Sequence, residues 1–283
     1  MTSVLSAKLY RLRRQKSPVV ILVLTAFFAS FMAFSLGSVL GNSSFALNMQ
    51  AMLRDSLQTT TNMYNQAVIA EMLEMVNHYS LNTVSSYMAL GLSGDLLFLL
   101  FLFIIYYSNA TIRNGFLKNA LPNVKRSFLF YADAAILLGY TVLLVLGYLL
   151  VFAAFGPLFF KGLPFGNVLS FIVFVLLKIL LLFVCGLCVI VTCDFFVKRP
   201  RMIILSALYI TLLSNVVYDV LNFIAQLIFG SGAVAAYALP IGALNILVFE
   251  QPVTYLSGLI VCVLYLSLCV ILEVAVIPKK DLI

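Results

Sequence analysis

Five ionisable residues sit where ionisable residues are rare. Asp95, Asp133, Lys178, Asp219 and Glu273 each fall inside a long apolar run of the 283-residue chain. A charge in hydrocarbon costs about 2.5–3.5 kcal/mol on insertion scales, so such residues face a bundle interior or a water-filled path by default. Two chemistries follow. Carboxylates aligned at one depth would relay ions or protons. Opposite charges at one depth would pair and hold helices together. Counted from the ends that the basic residues place outside, Lys178 and Asp219 are each the eleventh residue of their runs. At about 1.5 Å per residue both lie about 15–17 Å deep, close to a bilayer midplane. That depth predicts a Lys178–Asp219 pair, with Asp95, eighth in its run, as the alternative partner. Asp133 and Glu273 lie near inner ends, where a side chain can reach the interface.

Other reactive types are sparse. The single His, His78, excludes a His-rich metal site and reads as a solvated loop residue. Cys185 and Cys188 form a CxxC, but inside an apolar run, where small polarizable side chains packing between helices fit better than a redox or zinc site. No Gly-Lys dipeptide occurs, so the chain has no phosphate-binding P-loop; HExxH and GxSxG are also absent. The residues form no catalytic constellation and point to no enzyme, and the chain itself calls for no cofactor or metal.

The elements that must position these residues are membrane helices. Of the residues, 64% are hydrophobic and 10% charged, against about 45–50% and about 25% in a soluble domain. Six apolar runs can each cross a hydrocarbon core, which needs about 20 helical residues: 18–40, 88–107, 127–154, 168–192, 202–229 and 255–277. Lipid offers the backbone no partner, so each run is helical and the expected fold is an all-α, six-helix membrane domain over 1–283. Fourteen of the 17 Lys and Arg residues fall on one side of that layout, leaving Arg54 and Lys161 opposite and Lys178 within a run. Under the positive-inside rule both termini are cytoplasmic, in a cell membrane, with a bacterial plasma membrane the natural host. The net charge of +7 therefore reports orientation and not nucleic acid. Residues 4–16 carry Leu5, Leu9 and Leu12 at helical spacing with Lys8, Arg11 and Arg14 elsewhere, which predicts an amphipathic helix in the inner interface. The outer segment 41–87 shows helical periodicity from Leu53 to Tyr79 and reads either as an amphipathic helix packed on the outer face or as a surface that contacts peptide or lipid.

The inner loop 108–126 carries the most information. Residues 110–121 can form a short helix, with Ile112, Phe116 and Leu117 on one side and Arg113, Lys118 and Asn119 on the other; Pro122 stops it. Such a helix suits docking into a groove on a partner. The run Arg113-Asn114-Gly115-Phe116-Leu117-Lys118-Asn119, followed by Arg126, resembles the coupling segment of ABC-2 type permeases, the membrane subunits of ATP-driven exporters. One departure is Phe116, where that family often has Thr; an apolar contact serves there. The six spans, the helix before the first and the break over 230–254, with Gly230, Gly232, Pro240 and Gly242, resemble the same family.

The resemblance implies a permease without its own ATPase. ATP would be bound by a separate cytoplasmic subunit, docked on Asn114, Gly115, Phe116, Leu117, Lys118 and Asn119, with Arg126 anchoring the base of the third span. A second permease, identical or a sister, would complete the pathway. Small stand-alone members resemble antimicrobial-peptide immunity proteins and drug exporters, so the expected substrate is amphipathic or lipophilic. Two other functions compete: an ion-coupled secondary transporter using Asp95, Lys178 and Asp219, and a membrane scaffold or sensor. Dependence of transport on a co-expressed ATPase separates the first reading from the second.

Overall fold

The computed structural model describes residues 2–14, 17–40, 51–52, 54–56, 83–92, 95–113, 126–159, 164–196, 224, 227–228, 240–247, 249 and 252–276. Eight helices organise them: α1 (Thr2–Arg14), α2 (Ser17–Leu40), α3 (Val84–Gly91), α4 (Asp95–Arg113), α5 (Arg126–Phe159), α6 (Val168–Phe196), α7 (Pro240–Ile246) and α8 (Pro252–Ile271). A π turn, Leu272–Val276, continues α8. No strand occurs among the described residues. Three stretches, Phe128–Phe155, Val168–Val191 and Pro252–Val274, are long and apolar enough to cross a membrane, and Pro18–Phe31 and Leu96–Ile105 are shorter apolar helices. The molecule is thus an all-helical protein built for a bilayer.

Its surface agrees with that solvent. Phe27, Phe31, Leu150, Leu169, Leu176 and Leu264 stand exposed around the bundle, which water would penalise and lipid does not. The interior is formed by α4, α5 and α6 around Phe101, Phe103, Phe152 and Phe174, with α2 along α5 and α8 along α6. Close approach depends on small residues. A Cβ on Gly186 would come within 3.0 Å of the Leu137 side chain on α5 and 3.2 Å of Ile104 on α4. Gly258 does the same between α8 and α6, where its Cβ would meet Leu177 at 3.3 Å.

One expected span is divided. The run expected over 88–107 instead contains α3, a turn at Leu92, and a new helix that starts at Asp95 and continues to Arg113. The cause is local: Gly91 disfavours continuing the helix, and Asp95 suits a first turn, where the helix dipole favours a carboxylate. Asp95 therefore opens α4 and is not its eighth residue. Residues 110–113, expected to begin a separate loop helix, continue α4 without a break. The segment 114–125 lies outside the described residues, as do most of 41–82 and of 197–239.

A clasp joins α3 to the loop before α6. Val84 N donates to Pro164 O and Ser85 N to Phe165 O, both at 3.0 Å. Thr83 caps α3, its Oγ1 accepting from Ser86 N at 3.3 Å. Asn167 caps α6, its Oδ1 accepting from Leu169 N and Ser170 N. Between the two caps Gly166 adopts φ +93°, a conformation open to glycine and strained for any other residue. A Cβ there would lie 2.5 Å from Ser85 Oγ and 3.0 Å from Thr83 Cβ, and Ser85 is fully buried. Gly166→Ala is therefore expected to lower stability by about 1–3 kcal/mol. Thermal unfolding in detergent measures it; an unchanged midpoint would show that the clasp does not hold the loop.

Candidate functional site

Three polar contacts interrupt the apolar bundle. The first lies within α6. Lys178 is 1% exposed and its Nζ donates to Leu244 O at 2.8 Å. Leu244 belongs to the last turn of α7, where carbonyls run short of helical donors. The ammonium therefore satisfies a helix end and meets the negative pole of its dipole. Proline starts both α7 and α8, where a missing N–H is no loss. Phe249, in the turn between them, packs edge-on against Phe171 and Phe174. The Lys178 ammonium sits 5.8 Å from the Phe174 ring centre, within reach of a cation–π attraction. The break expected over 230–254 thus includes a short helix folded back into the bundle and seated on Lys178. The side chain of Asp95 and all of Asp219 lie outside the described residues, so the expected Lys178–Asp219 pair does too.

The second contact gathers α1, α4 and α5. Lys8 Nζ donates to Asp133 Oδ1 at 2.6 Å and to Leu129 O at 3.1 Å. Tyr107 donates its hydroxyl to the same Asp133 oxygen at 2.6 Å. Tyr107 and Tyr140 flank Phe103 in a stack, and Tyr140 donates to Pro18 O at 3.3 Å. This corrects two expectations. Asp133 does not simply reach outward; it is the shared, partly exposed acceptor of a network. Lys8 does not face away with the other basic residues, for it is 3% exposed while Leu9 is 47% exposed. The buried side of α1 is Leu5, Lys8 and Leu12, because a charge-assisted bond to Asp133 outweighs one leucine contact. Glu273 likewise does not reach outward: it is buried, in the π turn that packs beside α5.

The third contact is between thiols. Cys188 Sγ on α6 lies 3.7 Å from Cys269 Sγ on α8. Among the described residues no three of His, Cys, Asp or Glu converge to hold a metal ion. Lower on the polarity scale, a cleft of about 400 Å³ opens between α6 and α8, lined by Leu176, Leu180, Leu256 and Leu259 with Tyr255 at its rim. It offers a ligand apolar contact and little else.

The sequence singled out Lys178 but missed Lys8, Tyr107, Leu244 and Cys269. No local pattern in α1 signals the second contact, since Lys8 lies off the Leu5, Leu9 and Leu12 stripe. Of the expected docking residues, Asn114 to Asn119 lie outside the described segments, and Arg126 is the first residue of α5. Together the fold and these contacts define an integral membrane protein of bundled helices. Comparison with family models, with curated proteins and with solved structures finds no match.

Proposed function

We propose that this protein is the permease subunit of an ABC-2 type exporter, driven by a separate cytoplasmic ATP-binding subunit. In this reading the chain crosses the membrane six times with both termini inside. A second permease, identical or a sister, completes the path, and the substrate is amphipathic or lipophilic, such as an antimicrobial peptide or a drug. The reading rests on the coupling-like run Arg113–Asn119 followed by Arg126.

One structural observation supports it above the others, and it is the Lys8–Asp133–Tyr107 network. Tyr107 lies six residues before Arg113, and Asp133 seven after Arg126. The two helices that flank the 114–125 segment are therefore bonded to each other and to α1 at their bases. A push delivered to that segment would move α1, α4 and α5 as one body. The role of Lys178 in seating α7 favours this reading over the ion-coupled transporter, since the ammonium is already committed to a backbone carbonyl.

The test is direct. The chain is co-expressed with a P-loop ATPase encoded beside it, purified, and assayed for ATP-dependent efflux. Gly115→Trp and Lys118→Glu are expected to reduce co-purified ATPase at least about tenfold, the loss that about 1.4 kcal/mol of binding gives, while expression and insertion stay normal. A bulky side chain blocks close approach at Gly115, and a reversed charge opposes the same surface at Lys118. Full retention of the ATPase by both variants would overturn the docking surface. Efflux that needs no ATPase but stops when the proton gradient collapses would overturn the class.

A further inference from the structure

The seam between α6 and α8 carries an arrangement that the permease reading does not use. On α8 the seam is made by Thr254, Gly258, Cys262 and Cys269, all buried. On α6 it includes Leu177, Leu181, Cys185 and Cys188. Small residues let the two helices approach closely, and that closeness brings Cys188 and Cys269 into sulfur–sulfur contact at 3.7 Å. A disulfide needs about 2.05 Å between sulfurs. The gap of roughly 1.7 Å is within the swing of two thiol rotamers when the helices already touch.

The two sulfurs are not equivalent. Cys188 is half-buried and Cys269 is 2% exposed. A reagent reaching the seam from the lipid meets Cys188 first, and Cys269 stands behind it as the resolving thiol. The buried Glu273 carboxylate and Tyr265 stand beside the pair and the rest of the seam is apolar, so an anionic reagent such as glutathione disulfide is kept out.

We infer that Cys188 and Cys269 are a modification site, a thiol pair that lipophilic disulfides convert into a covalent staple between α6 and α8. The reaction is two thiol–disulfide exchanges. The Cys188 thiolate attacks a reagent disulfide RS–SR, forming a Cys188–S–SR mixed disulfide and releasing RS⁻, which takes up the proton that Cys188 lost. The Cys269 thiolate then attacks the Cys188 sulfur and expels the second RS⁻, which takes up the Cys269 proton. The net change is two protein thiols and one RS–SR giving one protein disulfide and two RSH. The protein is oxidised and the reagent reduced. The staple crosses the bundle below the Lys178–Leu244 bond, so it ties the same two helices that seat α7. The linkage stands whether or not the chain is a permease.

The experiment uses the full chain reconstituted in lipid vesicles. Dithiodipyridine is the lipophilic probe and glutathione disulfide the charged one. With dithiodipyridine, mass spectrometry is expected to find a Cys188–Cys269 linked peptide pair with two thiopyridones released per link. The unfolding temperature should rise and fall back on addition of dithiothreitol. Glutathione disulfide should give at least tenfold less link over the same time. The Cys185→Ala/Cys262→Ala variant should keep the link, and Cys188→Ala and Cys269→Ala should each lose it while unfolding at the temperature of the reduced protein. Each of those substitutions removes only a sulfur, and the double variant controls for folding in the same seam. A stable pyridyl adduct on Cys188 with no link to Cys269 would overturn the inference, as would a link between Cys185 and Cys262 in its place.

Discussion

Lys178→Met is expected to unseat α7 and to lower the stability of the protein by several kcal/mol. Methionine matches the length and volume of the lysine stem, so the change removes the ammonium and little packing. It takes from Leu244 O, in the last turn of a helix, the one donor seen among the described residues. A buried acceptor stripped of its partner costs about 1–3 kcal/mol. Lysine at this depth cannot escape to water, since it is the eleventh residue of a 29-residue helix and its stem reaches neither interface. Were Asp219 the counter-charge that its depth in the sequence predicts, breaking the buried pair would cost about 3–5 kcal/mol. Asp219→Leu is then expected to strand the ammonium at a similar cost, and the double variant to recover the charge part of the loss, because two neutral residues leave no orphan charge while Leu244 O still lacks the lysine donor. The readouts are thermal unfolding in detergent and hydrogen exchange over 240–247. An unchanged midpoint and unchanged protection in Lys178→Met would remove Lys178 as the seat of α7. Losses that simply add in the double variant would remove Asp219 as its partner.

Much of the fold was legible because the bilayer imposes a simple rule on sequence. Expected runs at 18–40, 127–154, 168–192 and 255–277 correspond to α2, α5, α6 and α8, with ends shifted by a few residues. Uninterrupted apolar runs leave the chain few alternatives to helix in lipid. The division between Gly91 and Asp95 is hidden by hydropathy averaged over a long window. The polar contacts were harder to read, for a different reason. Lys8 and Asp133 are 125 residues apart, and no local pattern relates them. The periodicity of α1 even points the other way, since Leu5, Leu9 and Leu12 make a better apolar stripe than Leu5, Lys8 and Leu12. Patterning follows the average environment of a helix face, and a single carboxylate on a neighbour overrides it. Lys178 was found because a lysine at midplane depth is conspicuous in any sequence, but its carbonyl partner was not, because every residue carries that acceptor.

The Lys8–Asp133 bond differs from Lys178 in one respect that governs what its loss should do. Helix α1 lies at the edge of the bundle and can leave. Its hold on α5 comes from Lys8 and from Leu5 and Leu12, each partly buried. Full burial of a leucine gives about 1.5–3 kcal/mol, so two half-buried ones together supply about 1.5–3 kcal/mol. Asp133→Leu would leave the Lys8 ammonium with Leu129 O alone, and an unpaired buried charge costs about 3–5 kcal/mol. The cost exceeds the apolar hold, so α1 is expected to detach and carry Lys8 into water. The damage is then capped: α1 opens while the helices behind it stay folded. Lys8→Met should behave differently. Asp133 keeps the Tyr107 hydroxyl and has a side chain 23% exposed, so it is not stranded, and methionine adds apolar contact in place of the ammonium. The variant is expected to keep α1 docked, and Lys8→Met with Asp133→Leu to redock it. Trypsin reads the difference at the exposed Arg13. Cleavage there should be at least about tenfold faster in Asp133→Leu than in the parent, as a shift of 1.4 kcal/mol or more requires. Equal acceleration in Lys8→Met would mean that the charge pair itself, and not the stranding of Lys8, sets the docking of α1. Under the permease reading efflux follows the same order, lost in Asp133→Leu and regained in the double variant, because α1 moves with the coupling segment only while it is attached to α5.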